Sequence, residues 1–312
     1  MENNVIFEER TYPSADGRSQ VHAYIWRPAN APRGIIQLAH GMCEYVQRYD
    51  AWARCFCEAG YIFCGNDHLG HGNTAASPDE LGYTARRNGA TYLVEDLHTL
   101  TTLIKKDHPG VPVVLYGHSM GSFAARAYLA RYGAEVSAAI ISGTAGAGAP
   151  TGLGKLLAHT VAAFKGDHHR SKLLTAVAFG GYNGKFKEED CHQSWLTRDP
   201  QVQEAYAKDA FSKFIFTTAG YDTLFSLLGE VSKRSWAKKV PKTLPVMLLS
   251  GDMDPVGNYG KGVRQIHERL LSAGCERTVL KLYENGRHEM HNEINRDEVF
   301  ADILTFLEDA LQ

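Results

Sequence analysis

The chain has 312 residues, of which 44% are hydrophobic, and its net charge is −2 at pH 7. This length and composition suffice for one large α/β domain or two small ones with a sizeable core. The near-neutral charge provides no basic surface for nucleic acid, so no nucleic-acid partner is expected.

Cysteine spacing and the N-terminal residues bear on the cellular compartment. The six cysteines lie at irregular spacings and form no C-x-x-C pair, so a zinc ribbon is not expected. The first ten residues are polar and acidic, without the apolar stretch of a secretory signal, and no apolar run reaches transmembrane length. These features predict a cytoplasmic protein with free thiols.

The first part of the chain alternates strands and helices. Ile6–Tyr12 and Val21–Trp26 alternate apolar and polar residues around Asp16-Gly17, which predicts a hairpin exposed on one face. The elements predicted next are a strand at Gly34–Ala39, a helix at Tyr45–Ala59, a strand at Tyr61–Cys64, a helix through Leu93, Leu97, Leu100 and Ile104, and a strand at Val113–Leu115.

The strand at Val113–Leu115 leads into Gly117-His118-Ser119-Met120-Gly121, which matches the pattern G-x-S-x-G. A run of helix-forming residues follows, so the context is the strand, tight turn and helix of a nucleophile elbow. A side chain at Gly117 or Gly121 would clash with the neighbouring strand or helix. The pattern predicts that Ser119 is a nucleophile at the carboxyl end of the strand. The backbone N–H of Met120, at the helix start, is then placed to stabilise an oxyanion.

The later part of the chain continues the alternation after one long interruption. Strands are predicted at Val136–Ser142, Pro245–Ser250 and Thr278–Leu282, and a closing helix at Asp297–Leu311. This alternation predicts a mostly parallel sheet covered on both faces, with ligands at the carboxyl ends of its strands. About a hundred residues between Ser142 and Pro245 contain no strand-like run but many aromatic residues, and an insertion of that size is usually functional. We interpret residues 145–221 as a lid over the strand ends.

Candidate acids and bases follow the last two strands. Asp252 and Asp254 come directly after Pro245–Ser250, and His288 and His291 come after Thr278–Leu282. In this architecture the catalytic residues occur in the order serine, acid, histidine, at one edge of the sheet. The sequence therefore predicts a Ser-His-Asp triad with Ser119. The residue pattern alone does not decide between Asp252 and Asp254 as the acid, or between His288 and His291 as the base.

These motifs together resemble the α/β-hydrolases of the monoacylglycerol lipase, lysophospholipase and serine aminopeptidase-like group. The matching segments are His40-Gly41-Met42-Cys43-Glu44, Asp67-His68-Leu69-Gly70-His71-Gly72, the elbow, Ser250–Val256 and Gly286-Arg287-His288-Glu289. The resemblance implies an α/β-hydrolase fold. In this fold we expect a mostly parallel eight-stranded sheet with helices on both faces. We also expect a helical lid at 145–221, inserted in a core formed by 1–144 and 222–312.

The resemblance also narrows the site. It implies that Asp254 rather than Asp252 orients the histidine, and that His288 rather than His291 is the general base and acid. It implies that the backbone N–H groups of Met42 and Met120 form the oxyanion hole, and that the reaction is a two-step acyl transfer. The chain departs from the usual pattern at Ser122, where a second glycine is common, and at Cys43, where a small residue is usual. Cys43 is expected to make the site sensitive to thiol reagents.

Several functions fit these residues. Aromatic residues in the lid favour an apolar acyl chain, and the resemblance implies a small-molecule ester substrate, namely a monoacylglycerol, a lysophospholipid or a short-chain ester. A serine aminopeptidase acting on small N-terminal residues is the alternative, and it requires lid carboxylates aimed at the substrate amine. The available carboxylates are Glu188, Glu189, Asp190, Asp209 and Asp222. A non-catalytic binding scaffold is a third possibility, against which the complete triad argues.

No cofactor and no metal is expected. Asp67-His68-Leu69-Gly70-His71, Asp167-His168-His169 and Cys191-His192 each lack a full set of ligands at a suitable spacing, and His68 and His71 are interpreted as turn-fixing residues. A basic cluster, Lys233, Arg234, Lys238 and Lys239, is interpreted as a solvated helix face. Transient contact with a membrane surface through the lid is the alternative. The sequence does not indicate an oligomeric state.

Overall fold

The computed structural model describes residues 5–148, 150–189 and 191–312, and these residues contain one eight-stranded sheet. Its strands are β1 (Ile6–Pro13), β2 (Gln20–Arg27), β3 (Gly34–Ala39), β4 (Tyr61–Asn66), β5 (Val113–His118), β6 (Ala138–Ser142), β7 (Val246–Gly251) and β8 (Thr278–Tyr283). Their order across the sheet is β1-β2-β4-β3-β5-β6-β7-β8. β2 is antiparallel to β1 and β4, and all other pairs are parallel. The mostly parallel sheet is confirmed.

Helices connect the strands and cover the sheet. They are α1 (Asp50–Glu58), α2 (Gly89–Asp107), α3 (Met120–Tyr132), α4 (Thr151–Lys165), α5 (Lys172–Phe179), α6 (Pro200–Lys208), α7 (Thr218–Val231), α8 (Lys261–Ser272) and α9 (Arg296–Ala310). The helix predicted over Tyr45–Ala59 begins only at Asp50 and follows a 3-10 turn at Val46–Tyr49. The Asp67 carboxylate accepts the Val46 N–H at 2.9 Å, which fixes the entry to this turn.

Alternate residues of the central strands pack on opposite faces of the sheet. Ile35 and Leu115 belong to a cluster with residues of α2 and α3, whereas Ile36 and Val114 pack with residues of α1 and α9. Both faces are therefore covered by helices, which is why the strands read as continuous apolar runs.

Helices α4, α5 and α6 lie in the predicted lid segment. α7 begins at Thr218 and packs against α2 and α3, so the predicted boundary between residues 221 and 222 falls inside this helix. The division into core and lid stays a prediction. Within the described ranges, none of the helices combines the length and apolar character needed to cross a bilayer.

The turn between β5 and α3 is as tight as its glycines predict. A Cβ on Gly117 would lie 2.6 Å from the Cβ of Ala125, and a Cβ on Gly121 would overlap the carbonyl oxygens of Ala39 and His40. The first turn of α3 therefore rests directly on the end of β3. This contact brings the loop after β3 next to Ser119.

We predict that Gly121→Ala strongly lowers the melting temperature, because its methyl group has no space beside the Ala39 carbonyl. Gly152→Ala is the matched control. It lies in α4 with open space around the new methyl, and exchanging a helical glycine for alanine stabilises by about 0.5–1 kcal/mol. Equal melting temperatures for the two variants, measured by circular dichroism, would contradict the close contact at Gly121.

Candidate active site

Ser119 occupies a strained position at the tip of the turn. It has φ 53° and ψ −121°, which is unusual for a residue with a side chain, and it immediately precedes α3. Its N–H donates to the Ser142 carbonyl at the end of β6, at 3.0 Å. Such strain costs about 1–3 kcal/mol and persists only where the surroundings enforce it, which is common at functional sites.

A buried imidazole–carboxylate pair forms between two loops at the same edge of the sheet. His288 Nδ1 lies 3.0 Å from Asp254 Oδ2, and both side chains are buried. The Asp254 carboxylate also accepts the Ser250 hydroxyl at 3.1 Å and the Val256 N–H at 2.8 Å. Because Nδ1 is engaged by Asp254, Nε2 is the nitrogen available to a reacting group. Ser119 and His288 line the same cavity.

Burial and charge act on His288 in opposite directions. Burial lowers the pKa of His288, but the negative charge and hydrogen bond of Asp254 outweigh it, so the pKa is raised above its usual value.

Gly143 approaches the ring closely, since a Cβ at Gly143 would lie 3.0 Å from His288 Cε1.

The competing candidates have other surroundings. Asp252 is partly buried, and its carboxylate pairs with no histidine in the described part of the chain. His291 stacks on Tyr49 with ring centroids 4.3 Å apart, and neither of its ring nitrogens has a hydrogen-bond partner among the described residues. Burial lowers the pKa of His291 to about 3, so this ring is neutral.

The loop after β3 lies against Ser119. A Cβ on Gly41 would be 3.0 Å from Ser119 Cβ. The Gly41 N–H donates to the Glu44 carboxylate, and Tyr49 Oη donates to the same carboxylate at 3.0 Å. Cys43 has a left-handed backbone with φ 55°. Burial raises the pKa of the Cys43 thiol, so this group is protonated at neutral pH.

An ion network missed by sequence reasoning joins this loop to the histidine loop. Arg48 donates to Glu44 at 3.0 Å and to both Glu289 oxygens at 3.1 Å. Burial raises the pKa of Glu44 to about 7, whereas the Arg48 charge, outweighing burial, lowers the pKa of Glu289. Glu44, His118 and Glu289 bring one potential metal ligand each to within 4.8 Å of one another. Arg48 already supplies positive charge to both carboxylates, so we interpret the cluster as an ion-pair network.

Two cavities meet at Ser119. The first has a volume of about 280 Å³ and a largely apolar wall that includes Phe179, Leu196, Phe214 and Ile215. We call it the polar cavity because polar side chains interrupt this wall, namely Thr175, His192, Gln193, Tyr206, Ser212 and Lys213. The apolar cavity, of about 190 Å³, is lined on one side by Phe123, Val177, Ala178, Leu224, Phe225 and Leu228. Both cavities share Met42, Ser119, Phe179 and Trp195. The two cavities therefore differ in the number of polar side chains that interrupt their apolar walls.

The lid carboxylates that the structure describes do not line these cavities. Glu189 pairs with Arg287, Asp222 pairs with His159 at 2.8 Å, and Asp209 accepts the Ser212 hydroxyl at 2.9 Å. Neither these three nor Glu188 lines either cavity among the described residues, and Asp190 lies outside the described residues.

Comparison with known proteins identifies the family. The family described as "Serine aminopeptidase, S33" (Hydrolase_4) matches residues 30–295. A monoacylglycerol lipase of Mycolicibacterium smegmatis is 30% identical over 286 residues, covering 91% of each chain. The monoglyceride lipase of Homo sapiens is 27% identical and covers 93% of this chain and 87% of its own. A thermostable carboxyl esterase of Bacillus coagulans, solved with glycerol, has a TM-score of 0.92 at 30% identity, covering 98% of this chain and 99% of its own.

The fold and these similarities define an α/β-hydrolase. The chain belongs to the S33 serine aminopeptidase family and, within it, to the monoglyceride lipase-like group of ester hydrolases. The expected family and fold are confirmed, and the non-catalytic scaffold is not supported.

We predict that Arg48→Met destabilises the protein by about 3–5 kcal/mol, because it leaves two buried carboxylates without a cation. Arg54→Ala is the matched control, since it breaks an exposed pair with Asp50 on α1 that is worth about 0.3–0.5 kcal/mol. Urea unfolding measures both. Equal unfolding midpoints for the two variants would show that Arg48 does not compensate Glu44 and Glu289.

Proposed function

We propose that this enzyme cleaves carboxylic esters of apolar acyl chains, such as monoacylglycerols, lysophospholipids or short-chain esters, by a Ser-His-Asp triad. The observation that carries the proposal is the position of Ser119 at the junction of an apolar and a polar cavity. An amphiphilic ester bound there has its carbonyl at the serine, its acyl chain in the apolar cavity and its alcohol in the polar one.

The reaction proceeds through an acyl-enzyme. His288 removes the Ser119 proton, and the serine oxygen attacks the ester carbonyl. The N–H groups of Met42 and Met120 stabilise the oxyanion, each donor contributing about 3 kcal/mol. His288 then protonates the leaving alcohol, and water, activated by the same imidazole, cleaves the acyl-enzyme. Asp254 holds His288 in the tautomer with the proton on Nδ1 and stabilises the imidazolium.

The surroundings of the serine favour an ester over an N-terminal amine. Recognition of a substrate ammonium group requires an unpaired carboxylate at the cavity. The carboxylates that do line the polar cavity, Glu44 and Glu289, both bond to Arg48. The described lid carboxylates lie elsewhere, so this side of the site offers an ammonium group no free negative charge among the described residues.

We expect kcat/KM on p-nitrophenyl esters to exceed that on aminoacyl-anilides, and to rise with acyl length until the apolar cavity is filled. Ser119→Ala is expected to lower kcat by on the order of 10⁶-fold while leaving the melting temperature within a few degrees. Faster cleavage of anilides than of esters would favour the aminopeptidase. Parent-level turnover by Ser119→Ala would rule out this nucleophile.

Asp254→Asn is expected to lower kcat by on the order of 10⁴-fold, because the amide favours the wrong His288 tautomer. In the parent, kcat/KM rises as pH increases through the pKa of His288, since only neutral imidazole accepts the serine proton. Asp254→Asn moves this rise to lower pH, because the charge that raises the pKa is gone. Asp252→Asn, in the same loop, is the control and should stay within a few fold of the parent in kcat.

We also propose that the lid contacts a lipid surface. Large apolar side chains on α4 and α5 face solvent, namely Leu153, Leu156, Phe164 and Leu173, with Phe164 83% exposed. The exposed basic side chains of Lys233, Arg234, Lys238 and Lys239 complement anionic headgroups. Such a contact places the lid where an amphiphilic ester is concentrated.

The double variant Leu156→Asp, Phe164→Asp is expected to reduce cosedimentation with vesicles of phosphatidylcholine and phosphatidylglycerol by at least severalfold, because each aspartate removes apolar area and repels the anionic lipid. Leu271→Asp, on the exposed side of α8, is the matched control and should bind like the parent. Unchanged binding by the double variant would refute docking through the lid.

A further inference from the structure

Arg287, the residue before the proposed base, is bound to the lid. Its guanidinium is 10% exposed and donates to Glu189 Oε2 at 2.8 Å, to the other Glu189 oxygen and to the Ser194 carbonyl. The guanidinium also lies over the Phe186 ring, 4.3 Å from its centroid. A planar guanidinium can hold a carboxylate with two parallel bonds and stack on a ring at once. Arg287 therefore fixes two lid segments relative to the histidine loop.

Further contacts attach the strap, which we define as residues 191–198, on the other side of His288. Glu293 is fully buried and accepts the Arg287 N–H at 2.9 Å and Arg198 Nε at 2.9 Å. In addition, the Glu289 N–H donates to the carbonyl of Leu196 in the strap at 2.7 Å. The strap is thus bound to residues before and after the base.

The strap places an aromatic wall against the imidazole. The Trp195 ring is 5.0 Å from the His288 ring, and Trp195 also packs on Tyr182 with centroids 5.0 Å apart. The backbone of Gly143 approaches the imidazole at Cε1. A histidine held only by its Nδ1 hydrogen bond can still swing about that bond. Neighbours at the ring restrict this swing.

We propose that Arg287 is a positioning residue for His288: by holding Glu189 and Ser194 it keeps Trp195 against the imidazole and fixes the direction in which Nε2 meets Ser119. This inference rests on the proposed function of His288 as base. It assigns the strap as a fixed wall of the site. Arg287 itself lines neither cavity, so it acts through Trp195 and not on the substrate.

The test compares Arg287→Ala, Arg287→Lys, Glu189→Gln and the control Arg277→Ala, which breaks an exposed pair with Asp309. Misplacement of a catalytic group by about 1 Å costs on the order of a hundredfold, so Arg287→Ala should lower kcat ten- to a hundredfold, and proportionally more than it raises KM. Arg287→Lys should recover only part of the loss, because an ammonium group cannot hold both Glu189 oxygens and the carbonyl in one plane.

Tryptophan fluorescence provides a readout that does not depend on turnover. Trp26, Trp52 and Trp236 are buried, whereas Trp195 is partly exposed. Loosening the strap should expose Trp195 further and leave the three buried tryptophans unchanged. Quenching by acrylamide should then increase in Arg287→Ala and, to a smaller degree, in Glu189→Gln, but not in Arg277→Ala. Quenching reports the position of Trp195 whether or not Ser119 is the nucleophile. It therefore distinguishes a failure of this inference from a failure of the proposed function.

Increased quenching together with a loss confined mainly to kcat supports the proposal. Parent-level kcat, or unchanged quenching, in Arg287→Ala overturns it. If Arg287→Ala does not fold, Glu189→Gln decides, because Glu189 is 43% exposed and its amide keeps the shape of the side chain. Parent-level kcat and quenching in Glu189→Gln would then overturn the proposal.

Discussion

The site depends on one close contact, between the first turn of α3 and the end of β3. Gly121 lies against the carbonyl oxygens of Ala39 and His40, and only a residue without a Cβ fits there. This contact forces the sharp turn that holds Ser119 at φ 53°. It also places the loop that begins at Gly41 beside the serine. The proposed nucleophile and the proposed oxyanion donors therefore share one structural cause, and the strain at Ser119 is maintained by the packing of the sheet.

Buried charges then join the remaining loops to this turn. Asp254 is satisfied by Ser250, Val256 and His288, and Glu44 by Gly41, Tyr49 and Arg48. Arg48 and Glu293 extend these networks to the histidine loop and the strap. A buried charge that loses its partner is costly, so the loops hold one another in place. The arrangement positions the proposed catalytic groups by hydrogen bonds and ion pairs between loops, together with the Trp195 ring beside His288.

The strands and the residues at their ends could be predicted because buried strands in a parallel sheet are short apolar runs between helices. The start of α1 could not, since the Val46 N–H bonds to Asp67, which lies 21 residues further along. The ion pair between Arg48 and Glu289 joins residues that are 241 positions apart, so no local pattern indicates it. The pair between Glu44 and Arg48 has the four-residue spacing of a local ion pair and could have been predicted. The composition of the lid predicted that it is rich in apolar side chains, but not which of them point inward. Phe186 is buried, whereas Phe164 projects into solvent. Such differences depend on which neighbours a helix meets, and that is decided by tertiary contacts.

Ser119 is proposed to be activated where the elbow, the loop after β3 and the histidine loop converge. Reaction with a fluorophosphonate, followed by peptide mapping by mass spectrometry, shows directly whether it is. We expect one adduct, on the peptide that contains Ser119, and a strongly reduced labelling rate when His288 is replaced by alanine. An adduct on another serine, or labelling that is unaffected by the loss of His288, would refute the activation of Ser119 by His288.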